Sequence, residues 1–367
     1  MNEAKAFDLQ KYMTNGVEKI VTEAIRATLK NPRESAFMVK FAAASRTASK
    51  KRKISEENGE HIPPFLIASI TSSCNLHCAG CYSRGINSCC DEKPENQLNA
   101  EEWNRVFSEA EDIGISFIFL AGGEPLIRRD VIEQAAEHPK ILFPIITNGT
   151  LLDRYEELLD KNRNLVPVIS LEGDMDKTDS RRGEGMYKLI GERMDALNKK
   201  GLAYGASITV TKENLNEVYS ESFLENLRNH GCKLVIFIEY VPVESGTEKL
   251  APTDTEREIM EKLILERRKK IDDMLMIEFP GSEKNYGGCL AAGRGFFHIN
   301  SRGGAEPCPF SPYSDVNIRN MTLREAMKSP LFKALQSGEI LLDDHDGGCV
   351  LYEKRAQVEA LLSRNNA

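Results

Sequence analysis

Phe65-Leu-Ile-Ala-Ser-Ile-Thr71-Ser-Ser-Cys74-Asn-Leu-His-Cys78-Ala-Gly-Cys81-Tyr82 joins a short apolar run to a loop carrying three cysteines in C-x3-C-x2-C spacing. Phe65–Thr71 reads as a buried strand, so the cysteines lie directly beyond a strand end. Thiolates this close in sequence can converge on one metal centre. Three protein ligands on a four-iron cluster leave one iron open to a substrate or cofactor. A zinc site usually pairs two C-x2-C-like halves, and the second half would have to come from Cys89-Cys90, whose adjacency suits one tetrahedron poorly. Unrelated core cysteines are the third reading. His77, inside the loop, reads as a polar loop residue rather than a ligand.

Outward from this stretch the pattern repeats. Apolar runs at Phe117–Ala121, Leu142–Thr147, Val166–Leu171, Tyr204–Val210 and Leu234–Tyr240 alternate with helical stretches at Asn99–Ile113, Arg129–His138, Leu152–Lys161, Met186–Lys200 and Leu215–His230. Asn99 with Glu102 three residues on forms a capping box. Strands alternating with helices predict a parallel sheet with right-handed crossovers, open and doubly wound or barrel-like, with the chemistry beyond the carboxyl ends of the strands.

Two flanking regions differ. Residues 1–60 read as a helical extension and linker, with apolar positions Val17, Ile20, Val21, Ala24 and Ile25 on one face, a break at Pro32, and a linker from Ser55 to Pro64. They carry twelve Lys/Arg against eight Asp/Glu, peaking at Lys50–Lys53, in a chain of net charge −8. That run reads as a solvated helix end, or as a contact for an acidic partner or membrane surface. The overall negative charge argues against a nucleic-acid surface. No apolar run is long enough to span a bilayer and the N-terminus has no apolar signal core, which places the protein in the cytoplasm. Nine cysteines in a reducing compartment point to metal or cluster ligation rather than disulfides. Residues 281–367 are Gly-rich and contain Cys289, Cys308 and Cys349. They read as a small second module with a helix near Thr322–Gln336, leaving 61–280 as the main domain.

The other strand ends carry further motifs. Strand two ends in Gly122-Gly123-Glu124-Pro125, where glycines admit close backbone approach and a carboxylate can accept from an ammonium. Strand three ends in Thr147-Asn148-Gly149-Thr150, and strand four in Ser170-Leu171-Glu172-Gly173, followed by Asp179-Ser-Arg181-Arg182-Gly183. A guanidinium such as that of Arg182 suits a carboxylate fork. Plain turns and a surface salt bridge are the structural alternatives.

The cysteine loop after the first strand resembles the hallmark of the radical S-adenosylmethionine (radical SAM) superfamily. The later motifs resemble that family's Gly-Gly-Glu, T-N-G, S-L-D-G and R-G elements. The resemblance implies a partial (β/α)6 TIM-type barrel, with Cys74, Cys78 and Cys81 holding a [4Fe-4S] cluster. It implies SAM contacts from Gly122, Gly123, Glu124, Ser170, Glu172 and Arg182, and reductive cleavage of SAM to a 5′-deoxyadenosyl radical that abstracts hydrogen from substrate. Two departures stand out. Gly80 occupies a position often aromatic in the family, with Tyr82 the nearby aromatic, and Glu172 replaces the commoner Asp.

The tail, with its G-x4-C step from Gly303 to Cys308 and Cys289 upstream, resembles the start of a SPASM/Twitch module. This implies an auxiliary [4Fe-4S] cluster on Cys289, Cys308 and Cys349, its fourth position open or filled from a region that includes Asp343, Asp344, His345 and Asp346. The later dense cysteine set of a full module is absent. The substrate expected from the resemblance is a peptide or protein, the alternative a small molecule or cofactor precursor, with flavodoxin or ferredoxin as reductant. A non-catalytic iron–sulfur or zinc scaffold is the reading of another class.

Overall fold

The computed structural model describes residues 8–91, 95–279, 287–338, 340–342 and 348–365. It begins with a helical hairpin, α1 (Leu9–Thr28) and α2 (Pro32–Glu57). Pro32 opens the second helix rather than kinking one long one. Asn31 caps that start, its side chain accepting from the N–H groups of Arg33 and Glu34, and Pro at the first helical position forfeits no bond. The linker expected to begin at Ser55 is corrected: α2 runs on through the basic stretch to Glu57.

That continuation explains the basic run. A short helical turn, α3 (Tyr82–Gly85), follows the cysteine loop, and α4 (Ala100–Ile113) packs beneath α2. The expected capping box forms on α4, and its buried face is Trp103, Val106, Phe107, Ala110 and Ile113. At its other end Gly114 adopts φ +95, and a Cβ there would lie 2.7 Å from Ala48 O. Only glycine meets both demands. Arg52, buried, donates from Nη1 to Gly114 O (2.5 Å) and Ser116 Oγ (3.2 Å), and Lys51 donates to Glu111 O (3.0 Å). The cations thus complete the carbonyl end of α4, where the helix dipole favours positive charge. Replacing Arg52 by alanine strands these acceptors and is expected to cost about 1.5–3 kcal/mol in urea unfolding, with Arg52→Lys recovering part of it.

Strands β1 (Phe65–Thr71), β2 (Phe117–Gly122), β3 (Phe143–Thr147), β4 (Leu165–Leu171), β5 (Gly205–Val210), β6 (Leu234–Glu239), β7 (Leu275–Phe279), β8 (Phe296–Ile299) and β9 (Ala305–Glu306) form one sheet. Its order is β7-β6-β5-β4-β3-β2-β1-β8-β9, parallel throughout except for β8–β9. The sheet curls into a partial barrel with helices outside, as the alternation of strands and helices predicts, with two more parallel strands, β7 and β8, than the six expected.

The tail begins by widening this sheet. β8 hydrogen-bonds to β1, with Ile67 opposite His298, and one apolar core runs from the barrel into Cys289, Cys308, Leu331, Phe332 and Cys349. The helix expected near Thr322–Gln336 is two, Leu323–Ala326 and Pro330–Ser337, because Pro330 restarts the chain behind the Ser329 cap.

The N-terminal hairpin closes the amino end of the barrel. A buried pair, Glu34 of α2 with Arg163, pins it there, and Glu34 also accepts from Ala203 N (3.2 Å). Between hairpin and strands lies an apolar cavity of about 80 Å³ edged by Met38, Phe41, Phe65 and Phe117. With that end sealed, the site opens at the carboxyl ends. No helix among the described residues is long and apolar enough to cross a membrane.

Candidate active site

The cysteine loop is fixed almost wholly by main-chain bonds. Cys90 N donates to Ser72 O (2.8 Å), Gly123 N to Thr71 O (2.8 Å), Glu124 N to Ser73 O (2.8 Å), and Ala79 N to Arg181 O (2.9 Å). Asn75 donates to Thr150 Oγ1 (2.8 Å) and accepts from Asn148 Nδ2 (2.9 Å). Arg84 reaches back to Leu76 O (2.9 Å). Each motif beyond a different strand thus grips the same loop, and the three thiols stay partly open. His77 points outward to Asp91, a loop residue as read from the sequence.

The two glycines of β2 answer to the loop itself. A Cβ on Gly122 would lie 2.1 Å from Thr71 O, and one on Gly123 2.0 Å from Ser73 O. Glu124 turns inward. Its carboxylate, 1% exposed, accepts from Leu126 N (3.0 Å), Thr147 Oγ1 (2.7 Å) and Asn148 N (2.8 Å). Burial pushes it up to about 7 against the pull of these donors. The carboxylate therefore locks β2 to β3.

The wall beyond β4 carries the charge. Glu172, 2% exposed, pairs with Arg181 (3.4 Å) and with Arg182. Arg182 Nη1 lies 3.9 Å from Cys78 Sγ, and Arg181 Nη2 3.4 Å from Gly80 O. Ser170, buried on β4, sits two residues before Glu172, opposite Ser207 of β5. Asn214 ties the strand ends by donating to Glu172 O and Thr209 O, both at 2.8 Å.

Gly80 has a reason too. Tyr240, at the end of β6, lies over it, and a Cβ there would meet Tyr240 Oη at 2.8 Å. Tyr82 instead turns away, half-buried, its ring 4.6 Å from that of Phe310. The aromatic beside the third cysteine is thus supplied from β6, which spacing within the loop could not reveal.

The site fits an iron–sulfur cluster with an anionic, hydrogen-bonding ligand beside it. Cys74 is pulled down to about 6, chiefly by a hydrogen bond from Cys89, while burial pushes Cys78 up and Arg182 opposes it. No three His, Cys, Asp or Glu among the described residues converge as tightly as a single ion requires, whereas a cluster spreads its ligands over several irons. On the adjoining wall three buried polar atoms, Arg181 Nε, Arg182 Nε and Tyr240 Oη, have no protein partner. Orphaned buried donors of this kind mark a place for a ligand.

Cys289, Cys308 and Cys349 are all buried, and Ala292 N donates to Pro307 O (3.0 Å), drawing the first two segments together. Asp343, Asp344, His345 and Asp346 lie outside the described residues. Cys232 is a core residue, its thiol donating to Leu234 O (3.1 Å).

One constellation was missed from sequence. Ser69 of β1, His298 of β8 and Glu306 of β9 form a chain: His298 Nε2 to Ser69 Oγ 2.7 Å, Nδ1 to Glu306 2.7 Å, with Asn300 donating to Glu306 (2.5 Å). A carboxylate only accepts, so Nδ1–H donates to Glu306, while Nε2 shares a hydrogen bond with the Ser69 hydroxyl. Ser69 is the partly exposed end of this chain. Its members come from sequence positions more than two hundred apart, on strands joined only by the fold.

Residues 68–245 match the radical SAM superfamily model. The chain is 29% identical over 310 residues to the AdoMet-dependent heme synthase of Methanosarcina barkeri, covering 76% of this chain and 86% of that one. It is 28% identical over 265 residues to the PqqA peptide cyclase of Rhizobium meliloti, covering 67% and 68%. SuiB of Streptococcus suis bound to S-adenosylmethionine superposes with a TM-score of 0.66 over 83% of this chain and 77% of that one, at 19% identity.

Proposed function

We propose that this chain, whose residues 68–245 match the radical SAM superfamily model, is a radical SAM enzyme using a [4Fe-4S] cluster and S-adenosylmethionine, with Cys74, Cys78 and Cys81 holding the cluster. Arg181, Arg182, Tyr240 and the Gly122–Gly123 backbone form the SAM wall. The observation that carries the reading is the convergence of three strand-end motifs, beyond β2, β3 and β4, on one thiol-bearing loop. A reduced cluster held there would supply the electron for reductive cleavage of SAM and so the means of hydrogen abstraction from a substrate. The protein's own residues then have three tasks. The loop bonds fix the thiols. The Arg181–Arg182 pair, with two positive charges against the one carboxylate of Glu172, offers a net positive site to the SAM carboxylate. Glu172 itself orients both guanidiniums rather than meeting the ribose directly. Ser170, two residues before Glu172 on β4, is the residue left to face SAM.

The test is anaerobic reconstitution followed by iron, sulfide and 5′-deoxyadenosine analysis. Product with cluster supports the reading, and zinc in place of iron, or no product from a fully loaded protein, favours the scaffold. For the tail we propose an auxiliary cluster on Cys289, Cys308 and Cys349, supported by their shared burial. Cys308→Ala is expected to lower iron by about four per chain while 5′-deoxyadenosine formation without substrate persists. Unchanged iron removes this cluster.

The substrate proposed is a peptide or protein, a reading the PqqA peptide cyclase likeness supports. A small-molecule substrate is the second reading, because the heme synthase likeness spans more of both chains. A cell-extract fraction that stimulates 5′-deoxyadenosine formation separates them: protease abolishes the stimulation if the substrate is a peptide and spares it otherwise. Electrons would come from a flavodoxin or ferredoxin.

A further inference from the structure

The Ser69–His298–Glu306 chain reaches into the barrel. Phe65, Val166 and Leu234, on three different strands, line the cavity at the sealed end, so those faces of the strands point inward. Side chains alternate along a strand. Ser69 therefore shares the inward face of β1 with Phe65, as Ser170 shares that of β4 with Val166, and Tyr240 continues that of β6 from Leu234. The inward faces that carry Ser69 thus also carry two groups assigned above to SAM. Across the ladder from Ser69 stands Ala121, small and partly exposed, and the β1–β2 register shifts directly after this pair. Such bulges re-aim side chains beside active sites.

The groups behind Ser69 are tied down. Arg302 N and Gly304 N, in the turn between β8 and β9, both donate to Asn300 Oδ1 (3.0 Å each). Asn300 donates to Glu306 (2.5 Å), which accepts from His298. His298 and Glu306 are 3% and 4% exposed, whereas Ser69 is partly open. Whichever way the His298–Ser69 bond runs, the hydroxyl oxygen keeps a lone pair for a further donor. A histidine satisfied for the sake of the core needs no such open end.

We propose that Ser69 is a substrate-contact residue whose hydroxyl accepts a hydrogen bond from an N–H or O–H group of the substrate, with His298 and Glu306 as the positioning residues that hold it. The tail strands β8 and β9 thereby supply part of the substrate site. The inference rests on the radical SAM reading above. A satisfied core histidine is the competing account, and it requires a loss of stability with no change in the response to substrate.

The probe is the cell-extract fraction that stimulates 5′-deoxyadenosine formation, titrated into the reconstituted full chain. The proteins compared are wild type, Ser69→Ala, Ser69→Thr, His298→Gln and the double variant Ser69→Ala/His298→Gln. Rates are taken per iron bound, and urea unfolding is followed in parallel. Ser69→Ala is expected to raise the half-saturating amount of the fraction about tenfold, the scale of one hydrogen bond, with a smaller change in maximal rate. Ser69→Thr, which keeps the oxygen, recovers most of that loss. His298→Gln raises the half-saturating amount about threefold, and the double variant is no worse than Ser69→Ala alone, because His298 acts through Ser69. An unchanged half-saturating amount in Ser69→Ala overturns the inference, whatever happens to stability. An equal fractional loss of 5′-deoxyadenosine formed without the fraction also overturns it, since Ser69 would then serve SAM. If the wild type forms no 5′-deoxyadenosine at all, the radical SAM reading itself fails instead.

Discussion

Cys78→Ala protein, purified and reconstituted alongside the wild type, is expected to lose about four irons per chain and to form no 5′-deoxyadenosine with SAM and reductant. The thiol is one of three on a loop whose position depends on main-chain bonds such as Ala79 N to Arg181 O (2.9 Å) and Glu124 N to Ser73 O (2.8 Å). Those bonds do not involve the side chain, so the loop survives the change and the loss is one of ligation rather than folding. Cys232→Ala is the control. Its thiol donates to Leu234 O inside the core, so it should destabilise the fold while leaving iron and product per folded chain unchanged. Product formation by Cys78→Ala at wild-type level would remove the assignment of the triad.

What the sequence shows of this molecule follows the range of the interactions concerned. The capping box at Asn99, the strand–helix alternation and the C-x3-C-x2-C loop are set within a few residues, and each lies where its local chemistry predicts. The roles of Glu124, Gly80 and the basic run did not follow, because each is decided by a partner far along the chain. Glu124 reads as a ligand group from its motif alone, and only the fold shows that Thr147 and Asn148 also donate to it. Gly80 reads as a missing aromatic until Tyr240, 160 residues on, covers it. Lys51 and Arg52 read as a solvated patch until the carbonyl end of α4 is placed against them. The same holds for Ser69, His298 and Glu306, which no spacing rule joins. Local motifs announced the cofactor, while the wall around it had to come from tertiary contacts.

Glu172→Ala tests that wall most severely. Glu172 is 2% exposed, and its carboxylate faces Arg181 at 3.4 Å and Arg182 more closely. The pair is costly to bury, yet removing only the anion costs more, because two largely buried guanidiniums then lack a counter-charge. The remaining contacts are weak: Arg181 to Gly80 O at 3.4 Å and Arg182 to Cys78 Sγ at 3.9 Å. The expected loss is about 3–5 kcal/mol in urea unfolding of the cluster-free chain. SAM binding by equilibrium dialysis should fall as well, since the guanidiniums lose the group that aims them. Glu172→Asp, the family's commoner residue, is one methylene shorter. It should keep one arginine and lose the other, with a smaller effect on both measurements. The decisive arm is the double variant Glu172→Ala/Arg182→Met. If stranded charge is the cause, removing one of the two cations should restore part of the stability lost in Glu172→Ala, a non-additivity expected only of groups in contact. Additive losses would mean that Glu172 holds the β4 end by packing, and that the arginines are placed without it.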